Sequence, residues 1–302
     1  MNGALHNDLV ACEYISDEEG KIIRILDRSF DTVIGEYSSI DEHLGKISLD
    51  DPRVKMEILI DENHRNGAMP GHKVIVKPYA EITKTKYYGE VLVILGHKDD
   101  VGIDILSKVY EHDINPNFSD ETMLELKNIP DVVSEEDIIG RKDLRNKKIV
   151  TMDGDDAKDF DDGVNVKKLK NGNYLLTVCI ADVSEYVKEN SYLDLEAYMR
   201  GTSVYLPDRV IPMLPFELSN GICSLNEGEY RLVMVAEMEF DHLGNLVNSD
   251  HYEGIIKSAH RMTYQNVNKI LEEKDKKLIS QYQDIYEMLI DMQDLAKILY
   301  DK

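Results

Sequence analysis

Hydrophobic and polar positions change their rhythm along this chain. Through residues 30–112, short runs rich in β-branched residues recur as TVIGEY (32–37), VKMEILI (54–60), HKVIVKPY (72–79) and YYGEVLVIL (87–95), punctuated by Gly67, Gly71, Gly89 and Gly96. About five short strands in roughly eighty residues suit a small Greek-key barrel of the OB type, and a β-sandwich fragment fits the same pattern. Ahead of them, residues 1–29 hold one strand-like run, KIIRIL (21–26), too little to fold alone. Residues 113–150 are polar and irregular, with a helix start expected at Ser134, where Ser-Glu-Glu-Asp resembles a capping box. Strands return in KIVTMD (148–153), YLLTVCIADV (174–183) and RLVMVAEMEF (231–240), interrupted by a Pro-rich loop. From Thr263 the period becomes helical: Leu278, Tyr282, Ile285, Leu289, Met292, Leu295 and Leu299 recur at three and four. This reads as a helix running to the last residue with no stop signal, as in a chain cut short. The fold class is mixed α+β.

Composition narrows the setting. The chain is 42% hydrophobic and 31% charged, enough for a sizeable core. Three scattered cysteines, Cys12, Cys179 and Cys223, make no disulfide framework or CxxC site, which points to the reducing cytoplasm. The N-terminus lacks the pattern of a secretory signal, and no apolar run is long enough for a membrane span. A net charge of −23 argues against a protein that coats nucleic acid, but a site is local and a divalent-cation site needs carboxylates. The stretch RKDLRNKK (141–148), with five basic residues in eight, reads as a solvated loop or as a phosphate contact just ahead of an acid-dense segment.

That segment, DGDDAKDFDD (153–162), holds six aspartates in ten residues. Such density is repulsive unless solvent or a cation relieves it. An EF-hand loop counted from Asp153 fails, because Ala157, Lys158 and Val164 stand where an acid or amide, a glycine and a glutamate are needed. A disordered acidic run fits poorly between the strand-like KIVTM and VNVKKLKNGNYLLTV, whose Asn-Gly-Asn (171–173) makes a hairpin-like turn. The acids therefore sit on a loop between strands. Hard oxygen ligands there suit magnesium; a solvated acidic loop remains the other reading.

The run IVTMDGDDAKDFDDGVNV resembles the catalytic signature of the RNB family of exoribonucleases, the ribonuclease II family. The likeness continues in IADVSEYV (180–187), in RGTSVYLPDRVIPMLPFELSNGICSLNEGEYRLVM (200–234), and in SAHRMTYQNV (258–267). The DGDDAKDFDD form and the GTSVY element are nearer the ribonuclease R branch. The resemblance implies a processive, magnesium-dependent hydrolase that degrades RNA from its 3′ end to nucleoside 5′-monophosphates. Its acidic quartet falls on Asp153, Asp159, Asp161 and Asp162 as catalytic and metal-holding residues, which suits two magnesium ions bridging a scissile phosphate. Tyr205 falls on a family aromatic able to stack a base or clamp the 3′ unit. Tyr264 matches a second family tyrosine, with a core-facing helix start as its other reading. Arg231 and Arg261 are candidate RNA phosphate contacts, salt-bridge roles being the alternative.

The same resemblance reads residues 1–29 as the tail of a first cold-shock-type OB domain and 30–112 as a second. Residues 113–148 become a linker, and 149–302 the first part of a truncated RNB catalytic domain. Two departures stand out: LGKISLDD (44–51) lies where base-stacking aromatics are expected, and Cys179 stands where the family usually has histidine. Glu185 departs as well. The expected partner is the 3′ end of single-stranded RNA, bound by a monomer in the cytoplasm. A non-catalytic RNA-binding or metal-binding module is the rival function.

Overall fold

Val33, Ile58, Val74, Val76 and Val91 are all buried in one cluster, and their convergence closes the N-terminal strands into a barrel. The computed structural model describes residues 3–17, 19–29 and 31–302. They divide into two units, 1–117 with 206–209, and 118–205 with 210–302. In the first unit, β1 (Leu9–Ser16) and β2 (Glu19–Asp27) form an antiparallel hairpin, so the N-terminal region holds two strands where one was expected. The expected boundary at Phe30 lies outside the described residues.

Five strands follow: β3 (Val33–Ser39), β4 (Leu44–Leu49), β5 (Glu57–Asp61), β6 (His72–Thr83) and β7 (Lys86–His97). They close in the order β3-β4-β5-β7-β6, with β5 and β7 parallel. This is the OB arrangement, and a sandwich is excluded. The fifth strand, β4, is LGKISL itself, where Gly45 and Ile47 face inward and Lys46 outward. Gly89 permits the closure: a Cβ there would lie 2.6 Å from Val76 and 2.7 Å from Ile58. A helix the periodicity did not reveal, α1 (Ile103–Glu111), completes the unit.

The second unit begins with α2 (Asp120–Leu126), capped by Ser119, whose hydroxyl accepts from the Thr122 amide. At Ser134 the capping-box bonds form, with Ser134 N donating to Asp137 Oδ2 at 2.7 Å and Asp137 N to Ser134 Oγ at 3.4 Å. Turns follow there and not a helix, so that expectation is corrected. The local cap is present without an apolar stripe long enough to sustain helix behind it.

The sheet comprises β8 (Lys142–Asp143), β9 (Ile149–Asp153), β10 (Gly163–Lys168), β11 (Tyr174–Ala181), β14 (Tyr230–Phe240) and β15 (Leu246–Thr263). Between β11 and β14 lie α3 (Val183–Tyr186), α4 (Tyr192–Arg200), and the two-residue strands β12 (Val204–Tyr205) and β13 (Val210–Ile211). The sheet order is β14-β11-β10-β9-β15-β8, with β14 also paired to β15. The eighteen-residue β15 runs antiparallel to β14 and then parallel to β9, so the sheet returns on itself. The β10–β11 turn is the hairpin read from Asn171–Asn173, with Gly172 at φ +88°.

RKDLRNKK is no free loop. Arg141 is buried against Asp182 at 2.7 Å, Lys142 and Lys147 pair with Glu237, and Lys148 pairs with Asp284. The C-terminal helix is corrected to three: α5 (Tyr264–Leu271), α6 (Lys276–Gln281) and α7 (Tyr286–Tyr300). Leu278, Tyr282, Ile285 and Leu289 still share one apolar cluster, so their spacing persists across the break. Among the described residues, no helix is long and apolar enough to cross a membrane.

Candidate active site

Apolar β9 ends by delivering Asp153, which pairs in register with Thr263 of β15. Residues 154–162 leave the sheet as the acid loop and return at Gly163, the first residue of β10. Gly163 is buried; a Cβ there would stand 2.8 Å from Ile149 and 3.0 Å from Leu225, so only glycine lets the loop close against the core. Asp162 just before it adopts φ +53°, the left-handed region that aspartate tolerates better than most residues.

A second segment straps the loop from behind. Phe160 N donates to Ser224 Oγ at 2.8 Å, Leu225 N donates to Phe160 O at 2.9 Å, and Ser224 Oγ donates to Lys158 O at 3.3 Å. Ser224 is fully buried. Its carbonyl accepts from Arg231 Nε at 2.7 Å, and the same guanidinium donates to the carbonyls of Tyr230 and Gly221. Arg231 is 5% exposed, so it does not present itself to a phosphate, and the RNA contact expected of it is corrected. It is a positioning residue, acting on the loop through Ser224. Gly163 and Ser224 were not singled out from sequence; the signal for each is its place beside the acid run or in the motif segment, with no charge to mark it.

Arg261 on β15 clasps the other end of the loop. Its Nη2 donates to the carbonyls of Gly154 at 2.6 Å and Asp155 at 3.1 Å, and the guanidinium lies 5.1 Å from the Phe160 ring centre. The chain there is fixed by Arg261 N donating to Glu227 Oε2 at 2.8 Å.

The four carboxylates bear on one another. Burial raises the Asp153 pKa, opposed by Thr151 and Arg261 and reinforced by Asp159 and Asp162. Asp161 is open on its outer side with protein packed behind it; that withdrawal from water, with Asp159, Asp162 and Asp153 around it, pushes its pKa up. Among the described residues, no salt bridge reaches any of the four. Tyr205, 70% exposed at the end of β12, belongs to the same site: the negative charge of Asp159 raises its phenol pKa, followed by burial and by Asp161. Tyr264 is 64% exposed as the first residue of α5, directly after the residue paired with Asp153, so it does not face the core.

These residues fit a hard divalent cation by two observations. The donor set is all carboxylate oxygen, and Asp153 Oδ2 is buried with no hydrogen-bond partner. Among the described residues, however, no three His, Cys, Asp or Glu side chains already stand close enough to hold an ion. The departure at Cys179 leaves no nucleophile: that thiol is buried and its pKa is pushed up to about 12 by desolvation.

Comparison with known proteins agrees with this geometry. Residues 141–302 match the family model for the RNB domain, and 47–119 match that for the cold shock domain. The chain is 45% identical to ribonuclease R of Thermotoga maritima, covering 98% of this chain and 42% of that protein. It thus spans about two fifths of that relative's length. Mycoplasma genitalium RNase R, solved in complex with ribose-methylated single-stranded RNA, superposes with a TM-score of 0.87 at 29% identity, covering 99% of this chain and 48% of that one. Yeast Ssd1, a pseudonuclease, shares the fold with a TM-score of 0.62 at 16% identity over 88% of this chain and 34% of Ssd1.

Proposed function

Because the chain belongs to the RNB family, we propose that it carries the acidic half of the active site of a ribonuclease R-type enzyme, a hydrolytic, processive 3′→5′ exoribonuclease. In that reaction a water oxygen bonds to the terminal phosphorus, the bond to the 3′ oxygen of the preceding nucleotide breaks, and a nucleoside 5′-monophosphate leaves. The observation that carries this reading is the set of four aspartates without a salt-bridge partner, Asp153 at the end of β9 and Asp159, Asp161 and Asp162 on a loop strapped at both ends, two of the four with raised pKa.

Asp153, Asp159, Asp161 and Asp162 would hold magnesium, which when bound supplies Lewis acidity and counter-charge at the phosphate. The chain's own residues do the placing. Arg261 and Ser224 fix the two ends of the acid loop, so its charges need little reorganisation during reaction. Exposed Tyr205, its phenol held protonated by the acids beside it, offers a ring for the 3′-terminal base or sugar. Tyr264 offers a second exposed ring. Three free thiols suit a reducing cytoplasm, and a single copy acting on the 3′ end of single-stranded RNA is the simplest assembly.

The rival reading, a non-catalytic RNA-binding or metal-binding chain, is favoured by the absence of a ready-made three-ligand cluster among the described residues. Incubation with 3′-labelled single-stranded RNA, with magnesium and with EDTA, tests both. Release of labelled monophosphate only with magnesium supports the exoribonuclease. Binding without release under either condition supports the rival.

A further inference from the structure

The basic stretch 141–148 contributes to more than internal ion pairs. Arg145, Lys147 and Lys148 line a groove of about 420 Å³ with Lys257, Ser258 and Glu227. Four cations and one carboxylate line it, three of the cations being paired with carboxylates outside the lining, on a chain whose net charge is −23. A polyanion is repelled by most of such a surface and is drawn to the places where cations prevail.

The cations differ in availability. Lys147 is tied to Glu237 at 2.6 Å, Lys148 to Asp284 at 2.7 Å, and Arg145 to Asp143 at 2.7 Å. Lys257 is exposed and has no carboxylate partner among the described residues. It is held near Arg145 by the Tyr230 ring, which lies 5.7 Å from Lys257 Nζ and 5.4 Å from the Arg145 guanidinium carbon. At the groove floor Ser258 is 1% exposed, and its hydroxyl has no hydrogen-bond partner. A buried hydroxyl without a partner is costly, which points to an acceptor arriving from outside. Glu227, the one carboxylate in the lining, is already engaged by the Arg261 amide.

Position adds to chemistry. Ser258 and Arg261 lie three residues apart on β15, about 10 Å of strand, and Arg261 clasps the acid loop. The groove thus lies on the same strand as the Arg261 clasp.

We infer that this groove is a phosphate-binding site in which Lys257, joined by Lys148 when it exchanges Asp284 for the ligand, supplies charge and Ser258 a hydrogen bond, taking a backbone phosphate of RNA beside the acid loop. It rests on the exoribonuclease reading for the identity of the polyanion. A free nucleoside 5′-monophosphate carries the same chemical group, so the test has two arms.

The full chain carrying Asp161→Asn, which prevents degradation, serves as background. Lys148→Ala/Lys257→Ala and Ser258→Ala are compared in it with Lys170→Ala, a lysine in the β10–β11 turn. A fluorescent oligouridylate is titrated across a salt series, and UMP binding is followed by calorimetry. For the double variant the expected result is a three- to tenfold weaker affinity for oligouridylate, with the log–log salt slope shallower by about 0.7 per lost contact. Ser258→Ala should weaken binding without changing the slope, and Lys170→Ala should change neither. Loss of UMP binding with oligouridylate unaffected would assign the site to the free nucleotide and overturn the backbone assignment. Unchanged binding of both ligands would overturn the site altogether. If the background chain binds no RNA while UMP binding still depends on Lys257, the exoribonuclease reading has failed and the phosphate site has not.

Discussion

In the barrel unit, Asp51 accepts from the Arg53 amide, Nε and Nη2, each at 2.9 Å, and the side-chain bonds hold its pKa down at about 2. In the sheet unit, Asp161 has three aspartates around it, and its pKa is pushed up. The two units are both built on curved β-sheets closed around glycines that let side chains approach, Gly89 in one and Gly163 in the other. They differ in how they treat carboxylates. The barrel neutralises them pairwise with Arg53, Lys73, Lys98 and Lys86, as a fold does when the acid serves the fold. The acid loop leaves its carboxylates without salt-bridge partners, and its backbone is held by hydrogen bonds to Ser224 Oγ, from Leu225 N and from the Arg261 guanidinium. Charge kept unneutralised at a fixed place is charge reserved for something that binds.

The largest expected effect separates the two kinds of acid by turnover. In an RNA-degrading form of the protein, Asp161→Asn should lower single-turnover cleavage by at least about a hundredfold while RNA affinity stays within a few-fold. Asp155→Asn, in the same run but outside the quartet, should do far less, and Asp51→Asn nothing. Equal losses for Asp155 and Asp161 would reduce the loop to bulk negative charge.

Next comes the scaffold. Arg231→Met removes three bonds to backbone carbonyls and should lose about 2–4 kcal/mol in urea melts, because buried acceptors are left bare. Arg53→Met, whose side chain is 61% exposed, should lose far less. Comparable losses would mean that the loop is no more dependent on its buried strut than the barrel is on a surface pair.

Tyr205→Ala should weaken binding of a short 3′-ended RNA by about 1–3 kcal/mol, while Tyr205→Phe keeps most of it. A loss of fold stability instead, seen by circular dichroism, would give the ring a structural role despite its exposure.

The smallest effects are in stability against pH, and they run in opposite directions. Asp51 has a folded pKa of about 2, below its usual 3.8, so its contribution is present above pH 3.8 and is lost as pH falls towards 2. Asp51→Asn should therefore cost about 1 kcal/mol at neutral pH, with the solvent exposure of Arg53 keeping the figure low. Asp161 has a raised folded pKa, so its contribution is present below pH 3.8 and is lost as pH rises through the folded value. Asp161→Asn should accordingly raise Tm at neutral pH, and added magnesium should raise the Tm of the unsubstituted chain but less that of this variant. A fall in Tm for Asp161→Asn would place the acid among the structural ones.

The acid loop was legible because its signal is compositional and local: six aspartates flanked by β-branched runs, followed by an Asn-Gly turn. The barrel was legible as strand count and turn spacing, but closure was not, since a sandwich produces the same alternation. β4 was hidden because LGKISL draws one of its inward positions from a glycine packed on Tyr37, which registers as a gap in a hydrophobic pattern. The break between α6 and α7 was hidden because both sides serve one apolar cluster. Arg231 misled for a different reason. Sequence shows a charge, and only packing shows that the charge is used to bond carbonyls at 221, 224 and 230.

The parallel pairing of β9 with the end of β15 also governs when the site can exist during synthesis. Asp153 leaves the ribosome long before Thr263, its register partner, and the residues between them take on the order of ten seconds to be made at about 5–20 residues per second. Until then the aspartates have no Arg261 clasp, and Asp153 lacks the strand it pairs with. A nascent chain stalled before residue 263 should carry the whole acidic run and yet have no assembled active site. For a protein read as a degrader of RNA, made on an RNA template, late assembly of the clasp delays any attack until most of the strand order has been translated.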